Sequence, residues 1–311
     1  GQGNILQLDF NPDRPGTIVN LGDLQVGEQQ SLSLLGHTVV NQGTLSGGAA
    51  VNVVAVGAHS NVQLSPGIQF SVQAEQTLLR PVATDTGHAA ALEVAEDGTL
   101  MLTGSSLPAT GTAVVGGSVT AAEHIRILGD HVAITGAKLQ AAGQILIGGD
   151  YQGAGTIPTA QSTFVDAASY IVADGERGGQ VVIWSDGITQ FHGSIRAQGL
   201  LAGGTVEVSG KEQLYFGGQV DLRSHAAPGT LLLDPENLDI RAGSDPNIAD
   251  TSDAHVLYED TLESAIIGPV DLVLQADNDI TIAPLSDGAL TFAQGPGSSI
   301  RFLADADGDG A

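Results

Sequence analysis

Between Gly178 and Ile240 the chain alternates apolar and polar positions in short runs broken by Gly, Ser or Asp. Val181–Trp184, Thr189–Gly193 and Ser194–Gln198 make one set of three, and Thr205–Ser209, Leu214–Gly217 and Gln219–Ser224 make the next. Apolar residues at every second position over so short a span predict half-buried strands. Val181, Val206 and Leu231 occupy equivalent places, each 25 residues after the last (206 − 181 and 231 − 206). Three short strands per unit, at a fixed period and with no helical stretch between them, predict an array whose units bury their faces only against their neighbours. The expected fold is all-β: a right-handed parallel β-helix with three-stranded rungs.

The same rhythm can be followed outward. Weak strand signals at Ile5–Leu8 and Thr17–Asn20 are broken by Pro12 and Pro15, and the coil pattern is expected from Ser31, with Leu35 and Val56 in similar places. Residues 58–118 interrupt it. Within them Ala91–Ala95 and Thr99–Thr103 flank Glu96-Asp97-Gly98, and an Asp-Gly step accepts the positive φ of a hairpin turn. A hairpin outside the coil is therefore expected, with two ordinary rung strands as the alternative. Coil rhythm returns at His124, Ile125 and Ile145 being 20 residues apart (145 − 125), and 150–178 read as a longer excursion. After a polar stretch, Leu257, Leu262 and Ile266 among Glu259, Asp260 and Glu263 predict a short amphipathic helix capped by Ser252 or Asp253. Strands follow at Asp271–Leu274, Asp279–Ala283, Leu290–Ala293 and Ile300–Leu303. The chain thus divides into amino-terminal rungs (1–57), an insertion (58–118), a central coil (119–240), a polar excursion with the helix (241–270), and carboxy-terminal strands with an acidic tail (271–311).

Composition changes the picture in two ways. A chain of 311 residues would normally suggest two domains, but a solenoid's core grows along one axis and escapes that limit. The net charge of −25, with Lys138 and Lys211 the only lysines, argues against nucleic acid and against anionic membrane surfaces. No run of 18 apolar residues occurs, so membrane insertion is not expected. The absence of Cys avoids mispairing in an oxidising exterior and equally suits a reducing compartment. With neither initiator Met nor leader, the expectation is a segment of a longer chain whose export signal lies upstream.

Candidate chemistry is sparse. The sequence holds no GxSxG elbow, HExxH or P-loop, so no catalytic residues, no organic cofactor and no enzymatic activity are expected. The eight histidines are scattered; His124 and His131 open consecutive strands and His192 follows Phe191, as solvated or capped histidines do. A polysaccharide lyase would need clustered carboxylates beside a Lys or Arg, and a hydrolase two carboxylates across a groove. Trp184, Phe191, Tyr215 and Phe216 fall in or near equivalent positions of adjoining units and read as packing more than as a sugar platform. The Gly-Gly pairs at 178–179, 203–204 and 217–218 read as tight corners, since no helix follows to make a phosphate site. One metal signal stands out: Asp305, Asp307 and Asp309 in DADGDG resemble the first half of a Ca²⁺ loop. The bidentate Glu expected further on is absent from the sequence, and a solvated acidic turn is the alternative.

QILIGGDYQGAGTIPTAQSTFVDAASYIVADG (144–175), EVSGK (207–211) and GTLLLDPENLDI (229–240) resemble the large filamentous-haemagglutinin-like exoproteins of two-partner secretion. LQVGEQQSLSLLGHTVVNQGTLS (24–46), LYEDTLES, QADNDITI and ADADGDG resemble the same family, so the likeness covers most of the chain. That resemblance implies a β-helical passenger, secreted to the cell surface of a Gram-negative-type bacterium through a cognate outer-membrane transporter. This segment would lie downstream of the secretion domain that the transporter recognises. The implied role is a structural or adhesive rod, with self-association into fibres and a carbohydrate or protein on a host or other surface as further partners. A polysaccharide-active β-helix enzyme, or a scaffold presenting a distal toxin domain, are the alternatives.

Overall fold

Three large sheets organise the computed structural model, which describes residues 7–10, 15–57, 60–64, 70–74, 92–94, 100–102, 110–244, 255–292, 297–306 and 308. The first face has seven strands, from Thr17–Asn20 to Gln213–Phe216; the second has eight, from Asp23–Gln25 to Ile266–Ile267. The third has nine, from Ser31–Gly36 to Ile300–Leu303. Each rung takes one strand from each face in turn, as Ile188–Phe191, Ser194–Arg196 and Thr205–Gly210 do. Neighbouring rungs pair in parallel on every face. This is a parallel β-helix. No helix among the described residues is long and apolar enough to cross a membrane.

Alternation decides what lies inside. On the third face Val51, Ile125, Ile145, Val181, Val206, Leu231 and Leu272 pair in succession, and all are fully buried. The predicted Val181–Val206–Leu231 ladder is thus a segment of the central column, and Ile125 faces Ile145 as expected. Phe191 and Phe216 stack inside the coil, ring centroids 5.7 Å apart. One corner carries an asparagine ladder: Asn20 Nδ2 donates to Asn41 Oδ1 at 2.7 Å, and Asn41 Nδ2 donates to the Gly116 carbonyl at 3.1 Å. The side-chain amides there meet backbone groups that the turn leaves unpaired, which a buried corner requires.

Several local expectations need correction. Coil pairing begins at Thr17, not Ser31: Thr17–Asn20 and Asp23–Gln25 pair with the next rung and so form the first. Leu35 faces Val54, 19 residues on (54 − 35), and not Val56. The rung closes that tightly because Gly47 and Gly48 turn where any Cβ would strike backbone, at 2.2 Å from the Ala50 carbonyl oxygen and 2.0 Å from that of Gly27. Pairing resumes at Thr112–Val115, inside the stretch assigned to the insertion. Residues 150–178 are not all excursion, since Ser162–Val165 and Tyr170–Val172 are rung strands paired with their predecessors. Their apolar positions are few, and the Gly- and Pro-rich residues before them hide the rhythm. No strand forms at 290–292.

Outside the coil Leu92–Val94 and Leu100–Leu102 pair antiparallel, while Glu96, Asp97 and Gly98 of the expected turn lie outside the described residues. Gln7–Phe10, Ser60–Leu64 and Phe70–Ala74 make a further antiparallel sheet. The helix, α1, spans Glu259–Ala265. Its N-cap is Tyr258, with no side-chain cap bond; Ser252 and Asp253 lie outside the described residues. Its buried residues are Glu259, Leu262 and Ala265, whereas Leu257 and Ile266, expected on the helix, lie in the strands Val256–Tyr258 and Ile266–Ile267 that flank it.

Candidate functional site

The outward side of the third face is where charge and burial meet. Off-phase positions there stack as Arg126, Leu146, Val182, Glu207 and Leu232. Alternation alone would leave this column in water. Instead residues 149–161 fold back over it, packing Tyr151 and Ile157 against Leu146, Val182 and Trp184. Gly153, at φ 60°, lies so close to the indole that a Cβ would stand 2.5 Å from Trp184 Cζ2.

Glu207 is therefore a carboxyl in an apolar column, with no exposed surface. The backbone N–H of Gln152, a residue in the left-handed conformation at φ 53°, donates to Glu207 Oε2 at 2.8 Å. Glu207 Oε1 and the nearby Ser209 hydroxyl are buried without an aligned partner. One rung on, Asp234 is only 9 % exposed, and its Oδ2 accepts from Gln275 Nε2 at 3.0 Å and Gln152 Nε2 at 3.5 Å. The same loop residue thus reaches both acids.

Burial pushes the Glu207 carboxyl up to about 7 against the hydrogen bonds from Gln152 and Ser209, with the charges of Asp234 and Asp150 adding to the rise. Asp234 is raised to about 6, first by burial and then by Asp277. The Tyr151 phenol is raised by burial and by Glu207 and Asp234. Beside Asp150, at the same end of the loop, burial lowers Arg126 while Asp150 works against it. A cleft of about 330 Å³ opens beside Asp234, lined also by Asp186, Lys211, Asp277 and Gln275. Trp184 Nε1 donates to Asp186 Oδ1 there at 3.1 Å. Displaced pKa values beside a cleft mark candidate sites on physical grounds. Glu207 has no surface with which to touch a ligand.

The sequence-predicted metal residues lie elsewhere. Asp305 is exposed at the last described turn, in the left-handed region at φ 53°, and its backbone N–H donates to the Asn278 carbonyl at 3.0 Å. Asp307 and Asp309 lie outside the described residues. Among the described residues no three His, Cys, Asp or Glu converge to hold a metal. The aromatics divide: Phe191 and Phe216 pack inside, whereas Trp184 packs outside under the loop. His131 Nδ1 shares a 2.8 Å hydrogen bond with Ser162 Oγ, and His192 lies tilted against Phe164. Glu207 and Asp234 were not singled out from the sequence. Glu207 alternates outward in its strand, and no local signal says that residues 55 positions earlier will cover it.

No family model matches the chain, and no curated protein matches it. Among solved structures, the chain is similar to the HMW1 secretion domain from Haemophilus influenzae, at 14 % identity and a TM-score of 0.44 over 89 % of this chain and 69 % of that one.

Proposed function

We propose that this chain is a rod segment of a secreted exoprotein, exported by two-partner secretion and serving adhesion or matrix formation outside the cell. The observation that supports it most is the unbroken parallel pairing of nine strands on the third face. At about 4.8 Å per strand the eight spacings make a column roughly 38 Å long. Force applied along such a column is shared among backbone hydrogen bonds, and loops leaving the corners are displayed to the sides. The motifs at 144–175, 207–211 and 229–240 support the family, and with it the transporter as partner and the cell surface as location. The charge of −25 favours solubility outside the cell and opposes nucleic-acid binding.

Beads coated with the chain test the adhesive role. Retention under flow on host-cell or polysaccharide surfaces should exceed that of albumin-coated beads and fall when residues 58–109 are replaced by a short turn. Retention equal to albumin overturns adhesion. The acidic cleft beside Asp234 favours the competing reading of a polysaccharide-active protein. Release of reducing sugar that Asp234→Asn abolishes would establish that reading instead.

A further inference from the structure

The covered wall of the third face has three features that belong together. A loop is tied to two acids of later rungs through a single residue, Gln152. In the seam Glu207 Oε1 and the Ser209 hydroxyl are buried side by side, short of an aligned hydrogen bond, and Asp234 Oδ1 is buried without a partner. Beneath the loop lies apolar surface, Leu146, Val182 and Trp184. We propose that residues 149–161 form a proton-controlled cover over the outer wall of the coil, closed while Glu207 and Asp234 carry protons and loosened when they ionise.

The geometry gives the reason. The Gln152 N–H and the Ser209 hydroxyl both favour an ionised Glu207, and complete burial in the apolar column outweighs them. Ionisation leaves a charge with no exposed surface between Val182 and Leu232. Charge facing the pair from the surrounding elements is mostly negative: Asp150 from the loop, Asp277 from the following rung, and Asp186 from the cleft, with Lys211 the cation lining it. The Tyr151 phenol also faces both acids. Asp234 already borders the open cleft, whereas an anionic Glu207, with no exposed surface, reaches water only if the loop lifts. The displaced pKa values of both acids agree with this geometry and set the range near neutrality. Opening would expose an apolar strip around Trp184, so the device would present or hide a sticky surface according to acidity.

Trp184 is the chain's one tryptophan, which makes the test direct. Its emission is followed on the intact chain from about pH 5 to about pH 8.5, together with far-ultraviolet circular dichroism. Hydrogen exchange at 149–161, corrected for base catalysis, is followed over the same range. The expected result is a red shift of emission and a loss of protection in the loop as pH rises through the range of the two acids, at constant circular dichroism. The double variant Glu207→Gln, Asp234→Asn keeps the hydrogen-bonding shapes and should hold the loop closed across the range. A flat wild-type emission, an identical transition in the double variant, or a parallel loss of circular dichroism would each overturn the proposal.

Discussion

The backbone N–H of Gln152 meets Glu207 Oε2 at 2.8 Å across 55 residues of sequence. Through this bond the excursion between two rungs is anchored to the wall of a later rung. A solenoid's rungs otherwise speak only to their neighbours, so a contact that skips ahead couples units the repeat would leave independent. It also buries a carboxyl in an apolar column, where the protonated form is favoured.

Glu207→Gln should therefore stabilise the protein at neutral and alkaline pH. The folded-state pKa is raised from 4.5 to about 7, so the stability linked to this group is fully present below 4.5 and is lost as pH rises through 7. The 2.5-unit difference (7 − 4.5) corresponds to about 3 kcal/mol. Urea melts near pH 8 should show the variant above the parent by up to that amount, and melts near pH 4.5 should show little difference. A variant less stable than the parent at both pH values would contradict the assignment.

Val206→Asp should cost more than about 3 kcal/mol, because it places an unpaired charge in a fully buried column between Val181 and Leu231. Thermal melting checks it. Val206→Ile, which keeps the column apolar, should melt within a few degrees of the parent.

Asn41→Ala should cost about 2 kcal/mol, since it leaves the buried Gly116 carbonyl without its side-chain donor and takes from the Asn20 amide one of its two acceptors. Asn20→Ala, at the first rung and with one such neighbour, should cost less. Equal losses would mean that the ladder is not the source of the stability.

Gly153→Ala should unseat the loop without harming the coil. The residue sits at φ 60°, and the new Cβ would meet Trp184 Cζ2 at 2.5 Å. A loss of about 1 to 2 kcal/mol is expected, with a red-shifted Trp184 emission and unchanged far-ultraviolet circular dichroism.

The parallel β-helix was legible because its signal repeats. Val181, Val206 and Leu231 declare the period, and their pairing follows from it. Where rungs shorten, as at Gly47–Gly48, or where an excursion precedes two short strands, as at Ser162–Val165 and Tyr170–Val172, spacing no longer identifies the partner. Spacing accordingly pairs Leu35 with Val56, whereas it faces Val54. The acids failed to announce themselves for a different reason. Their environment is made by a loop whose return path depends on Gln152 adopting positive φ and on Gly153 resting against an indole, neither of which a periodic pattern encodes.

Assembly order is governed by the place where the insertion leaves the coil. Ala50 and His124 are adjacent in the third face although 74 residues separate them (124 − 50), against 25 for Gln180 and Thr205 (205 − 180). The additional entropy of closing the longer loop is only about 1 kcal/mol, so the insertion barely taxes the finished molecule. It does divide the route to it. Strands before Val56 and strands after Gly111 each find partners nearby, whereas the seam between them must wait for a long chain to close. The expected route is two nuclei that grow separately and then dock, with Ala50–Ala55 against His124–Leu128 pairing last.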